Sequence, residues 1–291
     1  MFNNFKNKKL VTRLVGLFSA IIILLGVSFY QSFEESRGLE VDFFDVGQGD
    51  AILIKTPDHQ RILIDGGPNN AVVNKLGENL PFFDKEIDLV ILTHPHADHL
   101  VGLIEVLKRY EVKKIISTGA AHPTPDYLTW LEEIKKQNVP MEIAKAGETL
   151  DFGSGIKMEI FYPVEDLAGK QVENLNNTSI VGKLIFGRTS FLFTGDAEME
   201  VWDELISRGI DLKADVLKVA HHGSKNATSK NFLEKVQPKF AIISVGENNS
   251  FGHPSRIILN YLENIGAQIL RTDEQGDVKI TSDGEKLNFK E

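Results

Sequence analysis

The run Thr93-His94-Pro95-His96-Ala97-Asp98-His99 constrains this chain more than any other feature. Three histidines and a carboxylate fall within six residues, directly after the apolar stretch Ile87-Asp88-Leu89-Val90-Ile91-Leu92. Imidazole and carboxylate donors suit borderline divalent ions such as zinc, and also manganese or iron. One tetrahedral ion does not easily take four ligands packed this closely on one loop. Two ions can share them, with His94 and His96 pointing one way and Asp98 and His99 serving a neighbour. Five of the eight histidines lie in this run and in His221-His222, which makes a chance polar loop a poor account of the pattern.

At 291 residues, 42% hydrophobic and 25% charged, the chain suits one sizeable globular domain with an appendage. That length supplies a core without disulfides or a structural metal. Cysteine is absent, so disulfides, thiolate metal ligands and a cysteine nucleophile are all excluded.

The N-terminus has its own character. Lys6, Lys8, Lys9 and Arg13 precede an uncharged stretch over 14–31, and Glu34 and Glu35 follow it. A basic flank, an apolar segment and an acidic flank read as a signal peptide or a single membrane anchor, positive end inside. The stretch is short for a spanning helix. The expected organisation is therefore a signal or anchor over 1–31, a linker over 32–38 and one domain over 39–291. It places the domain outside the cytoplasm, at the cell membrane or secreted after cleavage. Residues 1–30 carry four basic and no acidic side chains, so the formal charge falls from −9 to −13 without them. So acidic a domain does not suit non-specific nucleic-acid binding, unless local basic patches or metals compensate.

Past the linker, strand and helix patterns alternate. Short strands are expected over 39–45, 51–55 and 61–64, with turns at Gly47-Gln48-Gly49-Asp50 and Asp65-Gly66-Gly67-Pro68. A helix over 100–110 follows the histidine run, its Leu103, Ile104, Leu107 and Tyr110 recurring at helical spacing. A strand over 114–117, a helix over 126–137 and a strand-rich stretch over 142–162 come next. A strand pair over 179–186 and 190–194 turns at Gly187-Arg188. Helices over 197–208, 229–236 and 255–264 then alternate with strands over 215–220 and 240–245. Two sheets packed face to face and covered by helices fit this order.

Polar groups recur where apolar strands end, the usual place for ligands in open α/β sheets. Asp65, the histidine run, Asp196, His221-His222 and His253 each hold such a position. Here the sequence resembles the metallo-β-lactamase-fold hydrolases, and within them the hydrolase domain of ComEC-type competence proteins. The motifs that carry the resemblance begin with Asp45-Val46-Gly47-Gln48-Gly49-Asp50-Ala51, Leu63-Ile64-Asp65-Gly66-Gly67 and Thr93 to His99 with Gly102. Next come Asn176-Asn177-Thr178-Ser179, Thr194-Gly195-Asp196 and Leu217-Lys218-Val219-Ala220-His221-His222-Gly223-Ser224. Ser244-Val245-Gly246, Gly252-His253-Pro254 and Arg271-Thr272-Asp273 with Gly276 complete the set, in family order from about residue 39 to 285.

The resemblance implies a four-layer αββα sandwich with two divalent ions, zinc or manganese, on one edge. It implies that His94 and His96 hold the first ion, that Asp98 and His99 hold the second, and that Asp196 bridges them. His221 is expected as the remaining ligand of the second ion, with His222 the alternative. Asp65 and Asp50 are expected to orient ligand imidazoles. One position departs from many members of the fold, which place a histidine ligand nineteen residues before the bridging aspartate. Asn177 stands there, a harder and weaker ligand that favours manganese. The ComEC-type branch shares the same Asn-rich motif.

Two adjacent cations activate a water and stabilise an in-line displacement at phosphorus. Asp98 belongs to that catalytic centre, and His253, then His222, is the candidate to protonate the leaving oxygen. Ser224 and Ser244 are read as structural hydroxyls more than phosphate ligands. His59 and His122 read as surface residues; Trp130 and Trp202 read as packing.

The leading expectation is an extracytoplasmic phosphodiesterase, with DNA as a plausible substrate and the membrane as partner through the N-terminal segment. A second is cleavage of teichoic-acid or phosphocholine substituents of the cell wall. A third, of another class, is a non-catalytic metal-binding assembly protein. The fold name alone does not make a β-lactamase. No protein partner is predictable from the sequence.

Overall fold

The computed structural model describes residues 14–16, 18–23 and 38–290. Residues 39–291 form one compact unit. The segment expected to be a signal or anchor lies largely outside the described residues; the parts described, 14–16 and 18–23, are helical. Among the described residues, no helix is long and apolar enough to cross a membrane.

Two large sheets make the unit. The first has eight strands, in spatial order Leu287–Lys290, Val278–Ser282, Leu39–Phe43, Ile52–Lys55, Arg61–Ile64, Leu89–Leu92, Ile115–Ser117 and Met141–Ile143. The second has seven, in order Gln268–Arg271, Phe240–Ile243, Val216–Lys218, Thr189–Phe193, Val181–Phe186, Ile156–Tyr162 and Thr149–Asp151. Alternation along each strand decides which side chains meet. From the first sheet, Val41, Phe43, Ile54, Ile62, Ile64 and Ile91 meet Met158, Leu184, Phe191 and Val216 of the second in one buried layer. The opposite face of the first sheet, with Leu53, Leu63 and Val90, packs on Leu76, Leu100, Leu103, Leu107 and Trp130 of three helices. The outer face of the second, with Leu192, Leu217 and Ala241, packs on Trp202, Phe232, Ile258 and Leu262. Helix, sheet, sheet, helix is thus the layer order, as expected for this composition.

The strands that matter for function are parallel. Arg61–Ile64, Leu89–Leu92 and Ile115–Ser117 run side by side, as do Thr189–Phe193, Val216–Lys218 and Phe240–Ile243. Their C-terminal ends therefore emerge along one edge of the sandwich. The Ala97–Arg109 helix begins within the histidine run, three residues earlier than its apolar spacing suggested. Its backbone touches the turn after Arg61–Ile64: Gly66 N–H donates to His99 O at 2.7 Å, and Gly102 N–H to Gly67 O at 3.0 Å. A Cβ on Gly102 would sit 1.8 Å from Gly66 O, so only glycine permits this approach. The contact carries Asp65 to His99.

Far from that turn, Glu40 and Asp42 share Lys55 and Lys279. Burial pushes the Asp42 carboxyl up to about 6, against the pull of Lys55, whereas the two lysines outweigh burial at Glu40 and hold it at about 2. A carboxyl raised in the fold contributes stability below its unfolded pKa of about 3.9 and loses it as pH rises through the folded value. Between pH 4.5 and 7, wild type is expected to lose about 1–3 kcal/mol relative to Asp42→Asn. Urea unfolding of both proteins at several pH values checks this; a constant difference across that window refutes it.

Candidate metal centre

Seven of the eight histidines come together at the shared edge, all but His59. His94 and His96 follow Leu89–Leu92, and His94 Nε2 lies 3.0 Å from His96 Nδ1. Two imidazole nitrogens about 3 Å apart match two donors at about 2.0–2.1 Å from one ion. Burial, then the neighbouring His99, keeps the His94 imidazole well below its ordinary pKa and so in the neutral, ligating form.

A second set adjoins the first. One donor atom each from Asp98, His99, Asp196 and His222 lie within 4.8 Å of one another. His99 Nδ1 sits 2.8 Å from Asp65 Oδ2, which also accepts the Thr93 hydroxyl at 2.7 Å, while Asp65 Oδ1 accepts Thr93 N–H at 2.8 Å. The Nδ1 of His99 therefore carries the proton and Nε2 is left to bind. That Nε2 lies 3.3 Å from Asp196 Oδ2 and 3.9 Å from Asp98 Oδ2. His222 is arranged the same way: Nδ1 donates to Ser244 O at 2.7 Å, while Nε2 faces Asp98 Oδ2 at 3.4 Å and Asp196 Oδ2 at 3.5 Å.

The fit to cations rests on atoms with nothing else to do. His99 Nε2 and Asp196 Oδ1 are buried with no hydrogen-bond partner. Such orphans are costly unless a ligand satisfies them. The charge balance agrees. Burial opposes ionisation of Asp98 and Asp196, yet His99 and His222, whose own pKa values these carboxylates raise, hold both carboxyls below their usual range, so without an ion it is imidazolium charge that balances the carboxylates. The donor set is nitrogen and carboxylate oxygen without sulfur, which divalent zinc and manganese both accept.

The sequence favoured His221 over His222 as the ligand, whereas in the structure it is His222 whose donor atom lies with those of Asp98, His99 and Asp196. Both have positive φ, +49° and +54°, so the chain reverses between them. His222 is buried and joins the cluster. His221 turns outward, its Nδ1 3.3 Å from both Glu198 Oε1 and Asn176 Nδ2, and its Nε2 3.9 Å from Asp196 Oδ2. Asn177 is not brought in with the others. Its Oδ1 accepts Glu198 N–H at 2.9 Å and its Nδ2 donates to Glu200 at 3.1 Å. His253 lies at the rim, its ring centroid 5.7 Å from that of His221, with exposed Phe251 stacked beside it.

Two neighbours escaped the sequence reading. Lys218 is buried, ion-paired to Asp50, donates to Gly195 O at 3.1 Å and lies 3.7 Å from Asp196 Oδ1. Asp50 thus answers a lysine, with His222 Nδ1 at 3.5 Å and His99 Nδ1 at 3.8 Å. A lysine within the apolar run Val216-Leu217-Lys218-Val219-Ala220 was the signal available. The other is His122, expected on the surface, whose ring lies 6.0 Å from that of His96.

A two-sheet sandwich with an imidazole and carboxylate cluster on one edge defines a class, the metal-dependent hydrolases. Residues 44–247 match the metallo-beta-lactamase superfamily, and the chain belongs to that family. Among curated proteins it is similar to ComE operon protein 3 of Bacillus subtilis, 34% identical over 259 residues, covering 82% of this chain and 32% of that protein. Competence protein ComA of Neisseria gonorrhoeae is 26% identical over 264 residues, covering 90% and 35%. Recombination protein 2 of Haemophilus influenzae is 29% identical over 257 residues, covering 87% and 30%. The chain thus spans about a third of the length of these relatives, and the ComEC-type resemblance holds over that third. Among solved structures, the metallo-beta-lactamase fold protein YhfI from Bacillus subtilis superposes with a TM-score of 0.56 at 13% identity, covering 84% of this chain and all of that one. That likeness concerns the fold alone.

Proposed function

We propose that the chain is a two-metal phosphodiesterase acting outside the cytoplasm, with DNA as its substrate. One observation carries the reading: the orphaned donors of His99 and Asp196, set within a six-residue cluster that His94, His96, Asp98 and His222 complete. In this reading His94 and His96 hold the first ion. Asp98, His99 and His222 hold the second, and Asp196 faces both. Two such ions supply an activated water and neutralise charge on a phosphoryl group.

The chain's own residues do the rest. Asp65 and the Ser244 carbonyl fix the His99 and His222 rings so that each Nε2 faces inward. His253 is the proton donor to the leaving oxygen; it sits at the rim, and no ligand role competes for it. His222 is the weaker candidate for that task, because its Nδ1 proton is committed to Ser244. Exposed Phe251 beside His253 offers a face on which a base can stack, a feature that favours nucleic acid over a wall polymer.

The full chain, purified and loaded with manganese or zinc, would be given linear duplex DNA, single-stranded DNA, a generic aryl phosphodiester and a teichoic-acid polymer. DNA cleavage that a chelator abolishes is the expected result. Cleavage of the polymer alone would move the function to the cell wall. Two bound ions with no diester hydrolysed would make it a binding protein and sink the enzymatic reading.

A further inference from the structure

We propose that His122 is a ligand of the first metal ion, taking the place that Asn177 leaves open. The proposal rests on the two-ion reading above. Within that reading the first ion has only two imidazoles, His94 and His96, besides the shared Asp196. Asn177 supplies nothing further: its oxygen is bonded to Glu198 N–H and its amide to Glu200.

His122 lies beside His96 of the pair. It follows Ile115–Ser117, which runs parallel beside Leu89–Leu92, so both strands deliver their next residues to the same edge. The loop between is braced at two points: Gly169 N–H donates to Gly119 O at 2.8 Å, and Ala121 N–H to Lys170 O at 2.8 Å. Gly119 has φ +69° and its missing Cβ leaves room for Ile143, which brings the loop down on the sheet. The ring of His122 then lies 6.0 Å from that of His96, nearly perpendicular at 74°.

The distances decide the case. An imidazole ring centre lies about 3.2 Å from an ion bound at about 2.0–2.1 Å, so two rings on one ion have centres about 4.5–5.5 Å apart. His94 and His96 already meet that range at 4.7 Å. At 6.0 Å, His96 and His122 exceed it by about 0.5 Å, within reach of a side-chain rotation in a half-exposed loop residue. A histidine from a different loop would thus give the first ion a third imidazole without the residue at position 177.

Metal titration of the full chain tests this, with bound zinc and manganese counted by elemental analysis. Wild type is expected to bind two ions. His122→Ala should weaken one of them at least about tenfold, as should His96→Ala, while Asn177→Ala should leave both within about twofold. His122→Phe keeps a ring of similar size without a donor and should behave as His122→Ala, which separates ligation from loop packing. Two ions held at wild-type affinity by both His122 variants would overturn the assignment and leave the two-ion centre standing. A wild-type chain that binds a single ion would overturn both.

Discussion

Asp196→Ala is expected to reduce hydrolysis on the order of 10³-fold or more and to lower metal occupancy with it. Asp196 follows Thr189–Phe193, and its N–H is held by Ser179 Oγ at 3.0 Å. Gly195, at φ +49°, turns the chain so that the carboxylate faces into the cluster. Its Oδ2 lies 3.3 Å from His99 Nε2 and 3.5 Å from His222 Nε2, and its Oδ1 has no hydrogen-bond partner. Asp196→Asn keeps the shape and removes the charge, so it should lose most of the same activity. Turnover, metal content and thermal unfolding would be measured on the same preparations. A variant that loses ions but keeps turnover would refute the mechanism. One that merely unfolds would be replaced by Asp196→Asn before the result is read.

The local part of this site was open to sequence reading, and the long-range part was not. His94, His96, Asp98 and His99 fall within six residues, from the end of a strand into the first turn of a helix, and strand, turn and helix propensities suffice to place them. The Asp65 contact was also anticipated, through the family resemblance, since residue type alone allowed a turn-forming role beside Gly66 and Gly67 as well. The choice between His221 and His222 depends on Ser244, twenty-two residues from His222 and just past the end of another strand, and on a reversal at two positive φ values. Asn177 is claimed by Glu198 and Glu200, which lie on the far side of a hairpin. His122 becomes a neighbour of His96 only because their strands are adjacent in the sheet. Element ends shifted for a related reason. The helix after the histidine run starts at Ala97 because the loop already turns there, while apolar spacing registers only the buried face from Leu100 onward.

Lys218→Met is expected to destabilise the metal-free protein by about 3–5 kcal/mol, the usual consequence of removing one partner from a buried ion pair. The ammonium is buried against Asp50 and Asp196, and burial alone would lower its pKa, but those two carboxylates raise it above the ordinary lysine value. A raised base contributes stability below its unfolded pKa of about 10.4 and loses it only as pH rises through the folded value. The penalty should therefore be flat from pH 6 to 9, unlike that of Asp42. Divalent ions change the size of the effect. A cation beside Asp196 takes over part of the charge that Lys218 neutralises, so zinc or manganese should narrow the gap between variant and wild type. Asp50 distinguishes charge from packing. If the loss comes from a stranded carboxylate, Asp50→Asn in the Lys218→Met background restores part of it, and the two changes together cost less than their sum. Additive losses, or a single-variant effect below about 1 kcal/mol, would show that the lysine is no counter-ion to this centre.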